Sequence, residues 1–328
     1  MVKAETFLSD AIWVLSDGRP GHLSQTLGLA EALTPRPVVK IIRLRSPYRQ
    51  ASPFLGWGGG NGLAADSARI EPPWPGLVIT SGRSAIPIAL GIKRATRGRT
   101  KVVNVQDPGY FRGCFDLIFV PDHDGMTGPN IVSTLGALGR ITSTRLATAR
   151  AAFEPSLSHL PRPRVAVLIG GANASFQTPA VVSERIGEAL ATLARDGAGL
   201  MVTFSRRSGP EMERIIRGAL AGCSAVIWDG TGDNPYFAYL AFADHILATE
   251  DSASMVSEAA TTGKPISILA LEGGSPKFSR FHAAMAARGV SRPFAGIIDE
   301  WSYAPFDETE RAATAVRMLM EGKGAGTL

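Results

Sequence analysis

The residues able to do chemistry fall in short loops, each directly after an apolar run. Ser16-Asp17-Gly18-Arg19-Pro20-Gly21-His22 follows Ala11–Leu15, and Gln25 lies one helical turn later. Glycines let backbone amides approach a ligand closely, and a helix opening after such a loop offers its positive end to an anion. A histidine placed there is a candidate neutral base; the plainer alternative is a helix-capping turn with a surface histidine. Asp107, in Val105-Gln106-Asp107-Pro108, is a second candidate base at another strand end. Asp17, Arg19, Gln25, Ser81 and Arg83 are expected to contact whatever hydroxyl-bearing acceptor that base serves.

A second set lies beyond residue 164. Gly170-Gly171-Ala172-Asn173 repeats the strand-to-glycine-turn pattern, with neither GxGxxG nor GxxxxGK[ST] spacing. Ser205-Arg206-Arg207 follows Leu200–Phe204, and a guanidinium fork grips phosphate oxygens two at a time; one of the two arginines is expected to do so. In Thr249-Glu250-Asp251-Ser252-Ala253-Ser254, small residues open a helix whose first amides suit a diphosphate, with Asp251 or Ser252 also able to cap it. Glu258, two turns in, can accept hydrogen bonds from a ribose diol. Asp229, after Ala225–Trp228, sits where a base-recognition loop would lie. Asp122, His123 and Asp124 are adjacent on a strand exit and point in different directions, so no metal site is expected.

These loops need strands to carry them. Apolar runs at 11–15, 38–44, 77–80, 102–105 and 117–120, and again at 164–169, 200–204, 225–228, 245–248 and 266–269, alternate with helical patterns. Continuous apolar strands mean both sheet faces are covered, as in a parallel sheet flanked by helices. Of 328 residues 45% are apolar, enough for two cores. Three prolines within 153–163 read as a linker, so the expected domains are 1–153 and 164–328, with 154–163 between them and the helix at 308–320 packing back on the first. The stretch 52–70, with Gly-Trp-Gly-Gly-Gly-Asn-Gly, is a lid or acceptor loop, or a surface insertion. Two cysteines, no zinc spacing and no long apolar run suggest a soluble cytoplasmic protein. Residues 1–164 carry 20 Lys and Arg against 11 Asp and Glu, and 165–328 carry 14 against 18. The basic half invites peripheral contact with an anionic membrane at its inner surface; no nucleic-acid signature accompanies it.

Ser252-Ala-Ser-Met-Val-Ser-Glu258-Ala-Ala260 with Gly263-Lys-Pro265 resembles the donor-site helix of GT-B glycosyltransferases, especially the bacterial peptidoglycan N-acetylglucosaminyltransferase. Gly18-Arg-Pro-Gly21-His22 is similar to that enzyme's first glycine loop, here interrupted by Arg19 and Pro20. Ser16–His22, Val103–Pro108, Phe119–Asp124, Leu168–Gly171 and Thr249–Ser252 together resemble the "elongated mitochondria" fission-protein family over nearly the full length. The resemblance implies an α/β GT-B fold, two Rossmann-like domains facing across a cleft. It implies a metal-independent transferase moving sugar from a nucleotide-diphosphate sugar to a glycan or lipid-linked acceptor, with no bound cofactor. The other classes left open are a non-catalytic nucleotide-binding adaptor in membrane organisation and a nucleotide-sugar epimerase.

Overall fold

The computed structural model describes residues 11–54, 62–305 and 307–323. The glycine run expected as a loop lies largely outside them. The chain divides into two compact units, 1–140 with 307–328, and 141–306.

In the first unit, β1 (Ile12–Ser16), β2 (Val38–Ile41), β3 (Leu77–Ser81), β4 (Lys101–Val105), β5 (Leu117–Pro121) and β6 (Ile131–Thr134) form one parallel sheet in the order 2-1-3-4-5-6. Successive residues of β1 serve opposite cores. Ile12 and Val14 join Leu29, Val103 and Ala312, while Trp13 and Leu15 join Ile88, Val102 and Ile118. Burial on both faces is what makes the strand continuously apolar. Helix α1 (Pro20–Leu33) and the C-terminal helix Glu308–Met320 contribute to the first core, and α2 (Ile86–Ala95) to the second.

The second unit opens with α3 (Ser143–Leu157). Its parallel sheet contains β7 (Arg164–Ile169), β9 (Gly199–Phe204), β10 (Ala225–Ile227), β11 (His245–Thr249), β12 (Ile266–Leu269) and β14 (Ser291–Pro293), in the order 10-9-7-11-12-14. β8 (Phe176–Gln177) and β13 (Glu272–Gly273) make a short antiparallel pair. Helices α4 (Ala180–Arg195), α5 (Gly209–Ala219), α6 (Tyr236–Phe242), α7 (Ala253–Ala260) and α8 (Pro276–Ala287) alternate with the strands.

The expected boundary needs correction. Residues 153–157 are the last turn of α3 rather than linker, and the units part at Arg140 instead. Pro155, in the last turn, lacks the N–H that would donate to the Ala151 carbonyl and crowds that carbonyl, and the helix ends two residues later. The first unit holds 19 Lys and Arg against 14 Asp and Glu and the second 15 against 15, so the charge contrast shrinks to +5 beside zero.

Candidate functional site

In an open parallel sheet, ligands bind beyond the carboxyl ends of the strands where strand order reverses. In the first unit that point lies between β1 and β3. Asp17 leaves β1, and Pro20, at the first helical position, starts α1 so that His22 stands in its first turn. His22 Nδ1 lies 3.1 Å from Asp17 Oδ1 and 3.3 Å from Oδ2. A carboxylate only accepts, so the neutral ring carries its proton on Nδ1 and keeps a lone pair on Nε2. Asp17 Oδ1 also accepts from the Arg19 amide at 3.1 Å. Asp17 is thus the orienting partner of His22 rather than a plain acceptor contact. Gly82, at φ +92°, closes the arrangement: a Cβ there would stand 2.6 Å from Asp17 Oδ2 and 3.0 Å from His22 Nδ1.

These residues line a cavity of about 840 Å³ that also takes in Arg19, Arg83 and Asp107. Asp107 fits the role of base poorly. Arg112 holds both its oxygens, Nε at 2.9 Å and Nη2 at 2.7 Å, and the Gly109 amide adds a bond at 2.8 Å. The Arg112 hydrogen bonds outweigh partial burial and keep the Asp107 carboxyl below its usual range, so it is reluctant to take a proton. Gln25 and Ser81 are buried and do not line the cavity.

Two lining residues escaped the sequence reading. Gln106 has φ +79°, which strains a side chain of its kind, and Asn104 Nδ2 donates to the Gln106 carbonyl at 2.6 Å. Asn104 Oδ1 is buried without a hydrogen-bond partner. Only the position of Gln106, after a strand and before Asp-Pro, hinted at a tight turn.

In the second unit the reversal lies between β7 and β11. Gly170 N–H donates to Thr249 Oγ1 at 2.7 Å, Thr249 Oγ1 to Asp251 Oδ1 at 2.6 Å, and Gly171 N–H to Asp251 Oδ2 at 3.1 Å. Arg207 Nη2 meets the same Oδ2 at 2.5 Å, and the Asp251 side chain is wholly buried. Asp251 is therefore an internal anchor that fixes Arg207, not a ligand contact. The glycines are required by packing: a Cβ on Gly170 would stand 2.0 Å from Asp251 Oδ1, and one on Gly171 would stand 2.0 Å from the Arg207 carbonyl. Asn173 is likewise spent internally, accepting from the Ser175 and Phe176 amides and donating to the Asp251 carbonyl. Ser205 Oγ accepts from the Arg207 amide at 3.1 Å.

Ser252 caps α7, accepting from Met255 N–H at 3.3 Å, so the helix begins with Ala253 and Ser254 beside the anchored Arg207 loop. Glu258 Oε2 accepts from the Tyr236 hydroxyl at 2.7 Å, and burial with the adjacent carboxylate pushes that hydroxyl's pKa well up. Arg206 is exposed. Asp229 is exposed in a turn, its carboxyl held low by the Thr231 N–H and hydroxyl, and no hydrogen bond links it to Asp251. Asp122, His123 and Asp124 form a single 3₁₀ turn, and among the described residues no three His, Cys, Asp or Glu gather as a metal site. Nor is any described helix long and apolar enough to cross a membrane.

Two parallel six-stranded α/β units, each with its loops at the reversal of strand order, make this a protein of the GT-B fold. The structure is similar to UDP-GlcNAc 2-epimerase of Methanocaldococcus jannaschii in complex with UDP-GlcNAc and UDP, at TM-score 0.54 and 12% identity, over 95% of this chain and 99% of that one. It is similar to S. aureus MnaA with UDP at TM-score 0.50 and 12% identity, over 96% and 92%. The chain belongs to the mitochondrial fission ELM1 family, which matches residues 20–320. The Arabidopsis thaliana mitochondrial fission protein ELM1 is 30% identical over 77% of this chain, a match spanning 66% of the plant protein's own length. An uncharacterized Rickettsia prowazekii protein is 27% identical over 94% of this chain and 98% of its own.

Proposed function

We propose that the protein is a glycosyltransferase that moves sugar from a nucleotide-diphosphate sugar to a hydroxyl acceptor. The observation that carries the reading is the Asp17–His22 pair, which leaves a basic Nε2 at the strand-order reversal of the first unit. The acceptor hydroxyl gives its proton to Nε2 while its oxygen bonds the anomeric carbon. The bond from that carbon to the diphosphate breaks, and the electron pair leaves with the diphosphate. Arg207 and the amides opening α7 are suited to receive that charge in place of a cation, and Glu258 to receive the ribose diol. The acceptor class is a glycan or lipid-linked glycan, with the basic first unit able to meet an anionic membrane.

The epimerase reading is less well supported, because it needs free acid and base carboxylates. All three in the cavity wall are engaged: Asp17 by His22, Asp66 by Arg43 and Asp107 by Arg112.

The test begins with nucleotides. UDP or GDP should raise the unfolding midpoint of the full chain, and no shift with any nucleoside diphosphate would sink the donor assignment. Substituting His22→Ala should keep nucleotide binding and cut transfer by roughly 10²–10⁴-fold. Release of a C2-epimerised sugar would favour the epimerase, and binding without turnover the adaptor.

A further inference from the structure

The first unit's cavity holds more positive charge than its carboxylates offset. Asp17, Asp66 and Asp107 each already pair with an arginine, Arg19, Arg43 and Arg112 in turn. Arg49 and Arg83 line the same wall, and among the described residues neither has a carboxylate within ion-pair distance. Arg83 is braced nonetheless. Its guanidinium donates to the Ser52 carbonyl, and Ser52 Oγ donates back to the Arg83 carbonyl at 2.7 Å. A neutral carbonyl orders the fork without cancelling its charge.

Beside these arginines stand two aromatic rings in the open. Phe54 is 65% exposed and Tyr110 is 93% exposed, with centroids 5.8 Å apart, and both line the cavity. Leaving two large rings in water beside each other is unfavourable unless something covers them. Phe111 also packs against Phe54, with ring centroids 5.7 Å apart, which holds that ring in place.

We infer that this cavity binds a phosphorylated sugar, its phosphate between Arg49 and Arg83 and its ring on Phe54 and Tyr110. Two uncompensated guanidiniums match a group of nearly two negative charges, which a phosphate monoester carries and a carboxylate does not. Exposed aromatic faces match the C–H face of a pyranose, a ring with polar edges and an apolar side. The His22 Nε2 lone pair opens from the same walls, so a hydroxyl of the bound sugar is the group it would deprotonate. The inference rests on the reading of this cavity as the acceptor side, and adds that the acceptor is anionic at the sugar itself. Free sugar phosphates and acylated glycolipids whose sugar keeps its phosphate as a monoester share that chemistry.

Calorimetric titration of the full chain tests it with three probes: glucose, glucose 1-phosphate and inorganic phosphate, each with and without saturating UDP. Glucose 1-phosphate is expected to bind at least about tenfold more tightly than glucose, and UDP should not displace it. Arg49→Ala and Arg83→Ala should each weaken glucose 1-phosphate and inorganic phosphate by about tenfold or more, with Arg49→Lys recovering only part. Phe54→Ala should weaken glucose 1-phosphate and glucose and leave inorganic phosphate unchanged. Flotation with phosphatidylcholine vesicles carrying a diacylated glucosamine 1-phosphate distinguishes the sources; Arg49-dependent capture there, beyond that of the free sugar phosphate, assigns the lipid-anchored form. Equal affinity for glucose and glucose 1-phosphate, or phosphate binding indifferent to Arg49 and Arg83, overturns the inference even if UDP binds. Loss of UDP binding with Arg49-dependent sugar-phosphate binding intact would instead overturn the donor reading and leave this one standing. A single-stranded oligonucleotide displacing glucose 1-phosphate stoichiometrically would replace the sugar by nucleic acid and also overturn it.

Discussion

At the scale of single residues, the arrangement depends on Asp17 fixing one tautomer of His22. Asp17→Asn presents an amide that can turn its NH₂ toward Nδ1, moving the ring proton to Nε2 and removing the lone pair from the reacting side. Transfer is expected to fall by about a hundredfold or more while the unfolding midpoint stays within a degree or two, measured by product formation beside thermal denaturation. Gly82→Ala should do both harms. Its Cβ would collide with Asp17, and φ +92° is a conformation an alanine resists, so stability should drop by roughly 1–3 kcal/mol along with activity. Asp107→Asn, by contrast, should leave most transfer intact, since Arg112 already holds that carboxylate ionised. Much of this was legible in the chain. The glycine loop after the first apolar run placed His22 at a helix N-terminus as a candidate base, while Asp17 was expected at the acceptor rather than on the histidine. The role of Asp251 was not, because whether a carboxylate faces a ligand or a buried arginine depends on which loop packs over it, here residues 205–208. Nor was Gln106, whose strained backbone is fixed by Asn104 and the neighbouring strand rather than by its own preference.

At the scale of elements, the apolar runs marked every strand whose two faces are buried and missed two edge strands, the mostly half-buried β6 and β14, whose short run includes Arg292 and Pro293. Helix α3 was missed for a related reason. It is exposed along most of its length and meets α6 through long side chains, with Arg150 over the Phe242 ring at 4.5 Å and Arg145 over the Phe237 ring at 5.3 Å. Such contacts leave no apolar stripe in the sequence. Close helix packing is equally silent. A Cβ on Gly28 of α1 would stand 2.1 Å from the Gly139 carbonyl, so Gly28→Ala must push α1 off its neighbour. A loss of about 1–3 kcal/mol is expected by chemical denaturation. On β11, His245 is 2% exposed and its Nε2 lies 2.9 Å from Ser267 Oγ. Burial lowers its pKa from 6.5 to about 4, against the opposing pull of Asp299. The folded value lies below the unfolded one, so the unfolded chain takes up more protons in that window. Stability should be full above about pH 6.5 and fall by on the order of 3 kcal/mol as pH drops toward 4. His245→Asn should flatten that slope in pH-dependent denaturation, and an unchanged slope would assign it elsewhere.

At the scale of the whole molecule, the proline-rich stretch was a misleading boundary because proline marks where a helix stops as readily as where a domain does. Cutting there would strand α3 on the wrong side and leave the C-terminal helix in the wrong unit. That helix puts Ala312, Ala313, Ala315 and Val316 into the core formed by Ile12, Val14 and Leu29, and its Arg317 donates to the Ala32 carbonyl of α1 at 2.9 Å. Removing residues after 305 would open that core, so the first unit should lose cooperative unfolding even though its sheet is intact. The second unit is closed by α3 instead. Leu157 is 1% exposed there, and Arg164 reaches back to the carbonyls of Leu160 and Ser158 while lying 5.5 Å from the Phe242 ring. A fragment 141–305 should therefore unfold cooperatively and, under the donor reading, keep its nucleotide-induced shift. A fragment 164–323 lacks α3 and carries a helix whose partners are gone. It should be less stable by on the order of 3 kcal/mol, or not fold at all. If both fragments unfolded alike, α3 would be dispensable and the division at Arg140 would have no energetic meaning. The same division bears on charge. The contrast of +9 and −4 between sequence halves becomes +5 and zero between folded units, because Arg145, Arg150, Arg162 and Arg164 belong to the second unit while Asp307, Glu308, Glu310 and Glu321 belong to the first. What distinguishes the first unit is local instead: arginines without carboxylates, gathered in one cavity wall.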